Sequence, residues 1–228
     1  MDSIEKSSWG CIYDKLKEPE PVRLGRHLSY WWDRTPRRIL YSMSYYKFAA
    51  KMIGSEKRVL DVGCNEGMGS YLLAKECGYV QGMDCDAEAI CVAQQNFGGE
   101  QSEFICADFL DRVEGVRFDA VTSFDMVEHI PTDCVDLFFS QIVRALNAEG
   151  MAVIGTAAHI SQQCASGISK REPISPYDDK GLENVLLKHF EHVFLFAAND
   201  EVVHAGFSPF AAYYIAVACG PKCHTQVS

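Results

Sequence analysis

No stretch of this 228-residue chain is apolar for long enough to cross a bilayer, which takes about 20 residues in a helix. The longest apolar stretch, near residues 210–220, is short and predicts a buried strand. The first residues, Met-Asp-Ser-Ile-Glu-Lys, also lack the basic and then apolar order of a secretory signal. These absences predict a soluble cytoplasmic protein with no membrane span.

Positive charge is scarce, because 21 Lys and Arg stand against 31 Asp and Glu and give a formal net charge of −10. Proteins that bind nucleic-acid backbones gain affinity when Lys and Arg displace counterions, so this balance argues against a nucleic-acid partner. One tract is an exception: residues 23–51 contain seven basic residues and one acid, Asp33. We interpret this tract as an amphipathic lid helix with a solvated basic face; the alternative is that its basic and aromatic residues, including His27, Tyr30 and Trp31, receive an anionic or ring-bearing substrate.

Cysteine is plentiful, but the ten cysteines include no Cys-x-x-Cys pair. This spacing favours reduced, buried thiols over a disulfide framework or a cysteine metal site. The sequence also has no internal repeat. Its length and its hydrophobic content of 48% fit one globular domain with a sizeable core.

Strand-like runs alternate with helical patterns along most of the chain, which predicts an α/β fold with a parallel sheet covered on both faces. No helix fits between the last two runs, so these two are predicted to form an antiparallel ribbon. The runs lie near residues 58–62, 79–84, 103–106, 118–123, 150–156, 192–197 and 212–219.

Three helical patterns can be placed from their apolar spacing. Thr35 and Pro36 are predicted to begin the first, whose core-facing residues are Ile39, Leu40, Met43, Tyr46 and Ala50. Thr132 is predicted to cap the second, whose apolar face consists of Val135, Phe138, Phe139, Ile142 and Leu146. The third carries Leu182, Val185, Leu186 and Phe190.

The most informative segment is residues 58–67, Arg-Val-Leu-Asp-Val-Gly-Cys-Asn-Glu-Gly. A short apolar strand leads into a turn in which Gly63 and Gly67 let the backbone approach a ligand and open a helix. Asp84 stands seventeen residues after Gly67, where an acid can bind the two hydroxyls of a ribose. Asp61 lies just before the turn and would repel a pyrophosphate, so the segment predicts a cofactor with an amine.

The run from Val59 to Cys64 resembles the first motif of the class I S-adenosylmethionine-dependent methyltransferases. The resemblance extends in order over about residues 30–219. Residues 106–109, Cys-Ala-Asp-Phe, resemble the adenine-edge motif of that family, and residues 118–130 resemble its fourth strand and following loop. Residues 31–39 resemble the start of the ubiquinone-biosynthesis O-methyltransferases of the type 11 group.

This resemblance implies a Rossmann-like doubly wound sheet of seven strands, mostly parallel with an antiparallel final strand. It implies a lid with helices at residues 1–56 and a methyltransferase domain at residues 57–220, in one globular unit. The implied cofactor is S-adenosylmethionine, with S-adenosylhomocysteine as product. The predicted cofactor-binding residues are Arg38, Asp61, Gly63, Cys64, Asn65, Gly67, Asp84, Cys85, Asp108, Phe109, Phe124 and Asp125.

Four of these residues have individual predicted roles. Arg38 matches the arginine that pairs with the methionine carboxylate in the ubiquinone-type enzymes. Asp61 is predicted to hold the turn and to face the cofactor's ammonium group, directly or through water. Asp108 is predicted to lie beside the adenine amine. Asn65 replaces the usual central glycine of the motif, and it is among the side chains that tolerate left-handed backbone.

Glu128 and His129 follow the fourth strand-like run and are the predicted catalytic residues. Histidine can take a proton from an acceptor hydroxyl near neutral pH; the alternative is that His129 only packs against or caps the next helix. Asp125, Glu128 and His129 also resemble the cation site of some O-methyltransferases, so a divalent cation is a second alternative, although we predict no metal ligands. His159, in a loop over residues 157–178, is a further candidate.

The predicted reaction is methyl transfer to an oxygen, or less readily a nitrogen, of a small molecule or glycan. Two rival functions stay open. An RNA methyltransferase could use the basic tract at residues 23–51 locally. A non-catalytic regulator could keep the cofactor pocket without the chemistry, because a fold alone does not fix the reaction.

Overall fold

The computed structural model describes residues 21–111, 115–158, 177–205 and 211–222. The helices in these ranges are α1 (Arg26–Arg34), α2 (Pro36–Ile53), α3 (Met68–Cys77), α4 (Ala87–Phe97), α5 (Val135–Ala145) and α6 (Asp179–His189). The strands are β1 (Lys57–Val62), β2 (Gly78–Asp84), β3 (Ser102–Cys106), β4 (Phe118–Phe124), β5 (Leu146–Ala157), β6 (Phe190–Ala198), β7 (Val203–Ala205) and β8 (Tyr213–Pro221). A single 3₁₀ turn, Val127–His129, follows β4.

All described strands form one sheet in the order β3-β2-β1-β4-β5-β8-β6-β7. The first five are parallel, whereas β8 runs antiparallel to both β5 and β6. The predicted α/β sheet, mostly parallel with an antiparallel final strand, is confirmed. The predicted count of seven strands is wrong by one, because β7 adds an eighth strand between the last two predicted strand-like runs. Three residues are too few to show an alternating pattern.

The strand order reverses next to β1, which lies between β2 and β4. In an open parallel sheet, a crevice forms at such a reversal, beyond the carboxyl ends of the two diverging strands. The turn after β1 and the 3₁₀ turn after β4 therefore meet at the same edge of the sheet. This edge carries the candidate site.

The core covers both faces of the sheet. Successive residues of β1 point to opposite sides, so Val59 packs with one cluster and Leu60 with the other. Helices α5 and α6 cover the Leu60 side, and α2 and α3 cover the Val59 side. Helix α2 is thus part of the core, although it was predicted as part of a lid. The domain boundary at residues 56 and 57 stays a prediction.

Several helix ends differ from their predicted positions. Helix α5 begins at Val135 after Cys134, so Thr132 is not its cap. Leu146 and Phe190 are the first residues of β5 and β6 instead of the last turn of a helix. Both are buried and continue the apolar spacing of the preceding helix, which is why the spacing alone extended those helices too far.

The N-terminal helices also confirm one prediction and correct another. Helix α2 begins at Pro36, as predicted. Leu40, however, is 61% exposed and does not face the core. The apolar run near residues 210–220 forms the buried strand β8, as predicted. Across the described residues, no helix is long and apolar enough to span a membrane.

Candidate active site

The turn after β1 has the backbone that its glycines predict. Gly63 and Gly67 have φ angles of +77° and +78°, and Asn65 adopts the left-handed conformation at +50°. The backbone N–H groups of Gly63 and Cys64 both donate to the Met83 carbonyl, at 2.8 and 3.1 Å, which ties the turn to β2. A Cβ atom on Gly67 would lie 2.7 Å from the Phe104 ring, so this position has no room for a side chain.

Asp84 fastens the same turn from the end of β2. Its Oδ2 accepts from the Asn65 backbone N–H and its Oδ1 from the Asp86 backbone N–H, each at 2.9 Å. A carboxylate offers about four acceptor positions, so these two bonds leave capacity for two ribose hydroxyls. The carboxylate is therefore both oriented and available.

Asp61 is fully buried beneath the turn. It accepts hydrogen bonds from the hydroxyls of Ser70, Thr122 and Tyr46, at 2.5, 2.7 and 3.4 Å. Burial raises the pKa of Asp61 to about 6, although the three hydroxyl donors oppose that rise. These contacts agree with the predicted role of holding the turn. The predicted contact with the cofactor's ammonium stays a prediction, because Tyr46, and not Asp61, lines the adjacent cavity.

A cavity of about 300 Å³ lies between α1, α2 and the carboxyl ends of β1 and β4. This volume is at the small end of the range for ligand pockets. It brings together nine of the predicted site residues: Arg38, Gly63, Cys64, Asn65, Gly67, Asp84, Phe124, Asp125 and His129. The other lining residues are His27, Leu28, Trp31, Ile39, Ser42, Met43, Tyr46, Glu66, Met68, Gly69 and Met126.

Three predicted residues lie beyond this cavity, past the ends of β2 and β3. Cys85 and Asp108 are exposed, and the Asp108 carboxylate accepts from the Leu110 backbone N–H at 2.9 Å. Their roles at an adenine edge stay predictions. The Phe109 side chain is 3% exposed and packs edge-on against Phe138 in the core, with ring centroids 5.6 Å apart. This corrects its predicted place, since only its backbone could contact a cofactor.

The 3₁₀ turn after β4 places Glu128 and His129 on different sides. His129 is exposed and lines the cavity. Glu128 is buried, and its Oε2 accepts from the Thr156 hydroxyl at 2.9 Å. Burial and, after it, the Asp125 carboxylate raise the pKa of Glu128 to about 7. The two predicted catalytic residues therefore occupy distinct environments.

Arg38 and Asp125 pair across the mouth of the cavity. The Arg38 Nη2 lies 3.5 Å from the Asp125 Oδ2, and its guanidinium sits 4.9 Å from the centre of the Trp31 ring. Asp125 has a backbone φ of +53°, which is uncommon for residues other than glycine. Among the residues that the structure describes, no group of three His, Cys, Asp or Glu side chains is arranged to hold a metal ion. His159 lies outside the described residues.

Sequence reasoning missed Glu66, although it is one of the turn residues. Its carboxylate is buried and accepts from the backbone N–H groups of Gly25, His27 and Leu28, at 3.0, 2.7 and 3.2 Å. The contact joins residues about forty positions apart, 41, 39 and 38 respectively. No local pattern predicts such a pairing.

The glycine turn, the oriented ribose acid and the strand order are those of a nucleoside-type cofactor site. Residues 59–150 match the model of a family described as a methyltransferase domain. In this region the chain is thus similar to the S-adenosylmethionine-dependent methyltransferases and shares their Rossmann-like fold, and S-adenosylmethionine is the cofactor that this likeness indicates.

The chain is also similar to individual methyltransferases. The chain is 29% identical over 170 residues to a ubiquinone biosynthesis O-methyltransferase of Xylella fastidiosa, covering 65% of this chain and 69% of the relative. It is 34% identical over 128 residues to the protein of the same name in Burkholderia thailandensis, covering 49% of this chain and 55% of the relative. The N-methyltransferase NodS of Bradyrhizobium japonicum, solved with S-adenosylhomocysteine, shares the fold with a TM-score of 0.59 at 15% identity, over 83% of this chain and 87% of NodS.

Proposed function

We propose that the chain transfers the methyl group of S-adenosylmethionine to an oxygen of a small molecule or glycan. The observation that carries the proposal is the position of His129, which lines the same cavity as Gly63, Asp84 and Arg38. An imidazole thereby lies next to the cofactor turn. The relatives named O-methyltransferases support an oxygen acceptor.

Some of these residues would bind the cofactor, and His129 would act on the acceptor. Asp84 would hold the ribose and Arg38 would hold the methionine carboxylate. The glycine turn leaves room for the cofactor to approach the protein backbone. When bound, S-adenosylmethionine supplies an electrophilic methyl group. His129 would accept the proton of the acceptor hydroxyl as its oxygen attacks. The geometry of this end of the cavity sets the direction from which the acceptor must come.

Glu128 would act on His129 and the acceptor end through its charge. Its pKa of about 7 lets it exchange a proton near neutral pH. The Thr156 hydroxyl fixes the carboxyl group in one orientation. We propose it as a partner in proton movement at this end of the cavity, beside His129.

A small acceptor fits the enclosure of the site. Helices α1 and α2 line one wall of the cavity. Aromatic side chains from Trp31, Tyr46 and Phe124 contribute to the lining and suit a ring-bearing acceptor. The cytoplasmic location stays a prediction.

The test uses S-adenosylmethionine labelled in its methyl group. The full chain is incubated separately with pools of phenols, amines, glycans and RNA, and the Asp84→Ala protein serves as the background control. Label in a phenol or sugar hydroxyl is the expected result, and fragmentation of the product distinguishes oxygen from nitrogen. Label confined to amines or RNA contradicts the proposal. Tight cofactor binding without turnover on any pool indicates a regulator.

A further inference from the structure

Helix α1 is attached to the cofactor turn through one buried carboxylate. Glu66 is 2% exposed and accepts three backbone N–H groups from the start of α1, those of Gly25, His27 and Leu28, at 2.7 to 3.2 Å. Helix α1 has no side-chain cap of its own, since its N-cap residue is Gly25. The negative charge of Glu66 also complements the positive end of the helix dipole.

Gly25 is required for this contact. A Cβ atom at that position would lie 2.5 Å from the Cδ and Oε1 atoms of Glu66. Any larger residue would displace the carboxylate from the three N–H groups. The attachment therefore depends on both residues, and a change at either should disturb the same set of bonds.

Glu66 also belongs to the segment that organises the cofactor site. Its own N–H donates to the Asn65 side-chain oxygen at 2.7 Å, and the Asn65 N–H donates to Asp84. Helix α1 in turn places His27, Leu28 and Trp31 in the wall of the cavity. The Glu66 side chain thus connects the helix that forms the cavity wall to the turn that shapes the cofactor site.

The polar contacts of Arg23 and Arg26 lie on the outer side of this segment. Arg26 is within 3.7 Å of Asp86 and 3.6 Å of Glu88, but its side chain is 70% exposed. Exposed ion pairs of this kind contribute little. Arg23 and Asn96 exchange two hydrogen bonds through the Arg23 backbone, also in an exposed position. Glu66 is the buried attachment among these.

We propose that Glu66 is a positioning residue that holds α1 over the bound cofactor, and that its three hydrogen bonds must break before the cofactor product can leave. The inference rests on the cofactor assignment and not on the identity of the methyl acceptor. It assigns Glu66 no contact with the reacting atoms. The effect should appear in the rate of product release and in the mobility of α1.

The test compares Glu66→Gln with the unaltered full chain. Glutamine keeps the size of the side chain but replaces one acceptor oxygen with an NH₂ group that faces N–H donors. Dissociation of S-adenosylhomocysteine, followed by stopped-flow displacement, should become faster by on the order of tenfold. Amide hydrogen exchange in a peptide covering residues 24–34 should accelerate, while exchange in α3 stays unchanged.

Glu88→Gln is the matched control, because it removes the same charge from an exposed partner of the same segment. It should leave product release and exchange in α1 unchanged. Gly25→Ala should reproduce the effect of Glu66→Gln, and the double variant should show less than the sum of the two effects.

A folded Glu66→Gln protein with unchanged release and unchanged exchange in α1 overturns the inference. Faster exchange in α3 as well as α1 also overturns it, since Glu66 would then stabilise the whole turn instead of α1. If the unaltered chain itself fails to bind S-adenosylhomocysteine, the cofactor assignment is at fault, which is a different result.

Discussion

Asp61 and Glu128 are buried carboxyl groups with raised pKa values, one in β1 and the other just beyond β4. Asp61 accepts from three hydroxyls that belong to α2, α3 and β4, so it joins four elements. Glu128 accepts from the hydroxyl of Thr156 and lies near a second carboxylate, Asp125. Burial raises the pKa of both carboxyl groups, but three hydroxyls donate to Asp61 whereas one donates to Glu128.

This difference separates the two ends of the cavity. The β1 end is a fixed framework that shapes the cofactor turn, because Asp61 accepts hydrogen bonds from three structural hydroxyls. The β4 end holds Glu128, whose pKa is raised to about 7, and His129, which lines the cavity. We therefore expect substitutions at the β1 end to change stability or binding, and substitutions at the β4 end to change the chemical rate.

The largest expected effect belongs to the β4 end. His129→Ala should lower the chemical rate by about 10²- to 10⁴-fold with cofactor affinity nearly intact, because a general base acts on the acceptor and not on the cofactor. Single-turnover kinetics with the acceptor found in the labelled-methyl assay measure the rate. Loss of activity with a chelator and recovery with a divalent ion would instead favour metal ligation.

His192→Ala is the matched control, since His192 lies near the start of β6, at the opposite end of the sheet from the cavity. It should leave the rate unchanged. Native turnover by the His129→Ala protein would make His129 a structural residue and would remove the chemical distinction between the two ends.

Asp61→Asn tests whether the β1 end is framework. The amide has an NH₂ group in place of one acceptor oxygen, so the buried network of three hydroxyl donors loses its charged acceptor. We expect a loss of roughly 3 kcal/mol in the free energy of unfolding, measured by urea denaturation at pH 7.5. Unchanged stability together with a lower affinity for S-adenosylmethionine would show that Asp61 serves the cofactor and not the framework.

Asp84→Ala tests the cofactor contact at the same end. It should weaken S-adenosylhomocysteine binding by about 1 to 3 kcal/mol, because an acceptor for two ribose hydroxyls is lost and the turn loses its tie to Asn65. Calorimetry gives the affinity.

Asp119→Ala is the control for Asp84→Ala, since Asp119 also accepts a backbone N–H, that of Arg58 at 2.9 Å, but near the start of β4. The Asp119→Ala substitution should lower the stability of the protein without changing its affinity for S-adenosylhomocysteine. Equal affinities for the Asp84→Ala and unaltered proteins would contradict the pocket assignment.

The pH dependence of stability should distinguish Glu128. Its folded-state pKa is about 7, above the ordinary value of 4.5, so the folded protein holds this proton more tightly than the unfolded chain does. Its contribution to stability is complete below about pH 4.5 and is lost as the pH rises through 7. Glu128→Gln removes this dependence, so the variant should gain roughly 2 kcal/mol relative to the unaltered protein between pH 5 and pH 8.

Denaturant titrations of both proteins at pH 5 and pH 8 measure that change. Glu76→Gln is the control, because the Lys51 side chain lowers the pKa of Glu76 below 4.5 by a hydrogen bond and by charge, so its difference from the unaltered protein should stay constant between pH 5 and pH 8. A constant difference between the Glu128→Gln and unaltered proteins across this range would mean that Glu128 does not titrate there, and the contrast with Asp61 would lose its basis.

The sequence predicted the parts of the site that depend on local backbone and strand spacing. Gly63, Asn65 and Gly67 adopt the left-handed conformations that their residue types favour. Asp84 is the last residue of the second strand, where alternation of strands and helices places it beside the turn. These features are decided by residues close together in the chain, and the parallel pairing of the strands follows from their alternation with helices.

The sequence did not predict features that depend on packing between distant segments. Tyr46 reaches Asp61 because Gly69 leaves space for its ring, and a Cβ atom there would lie 2.2 Å from it. The buried Glu128 accepts a hydrogen bond from Thr156, 28 residues later in the chain. Phe109 was assigned to the site by its motif, but tertiary packing turns its side chain toward Phe138.

Substitution of Arg38 tests whether this residue, which pairs with Asp125 beyond β4, also binds the cofactor. Its expected effect is the smallest. Arg38→Ala should weaken S-adenosylhomocysteine binding by about tenfold or less, because its side chain is about half exposed and partly screened. Binding of methylthioadenosine, which lacks the methionine carboxylate, should change less. Calorimetry with both ligands isolates the contact, and Arg37→Ala, its exposed neighbour on α2, is the control. Equal losses for the two ligands would mean that Arg38 acts by positioning Asp125 and Trp31, and the charge pair with the carboxylate would be excluded.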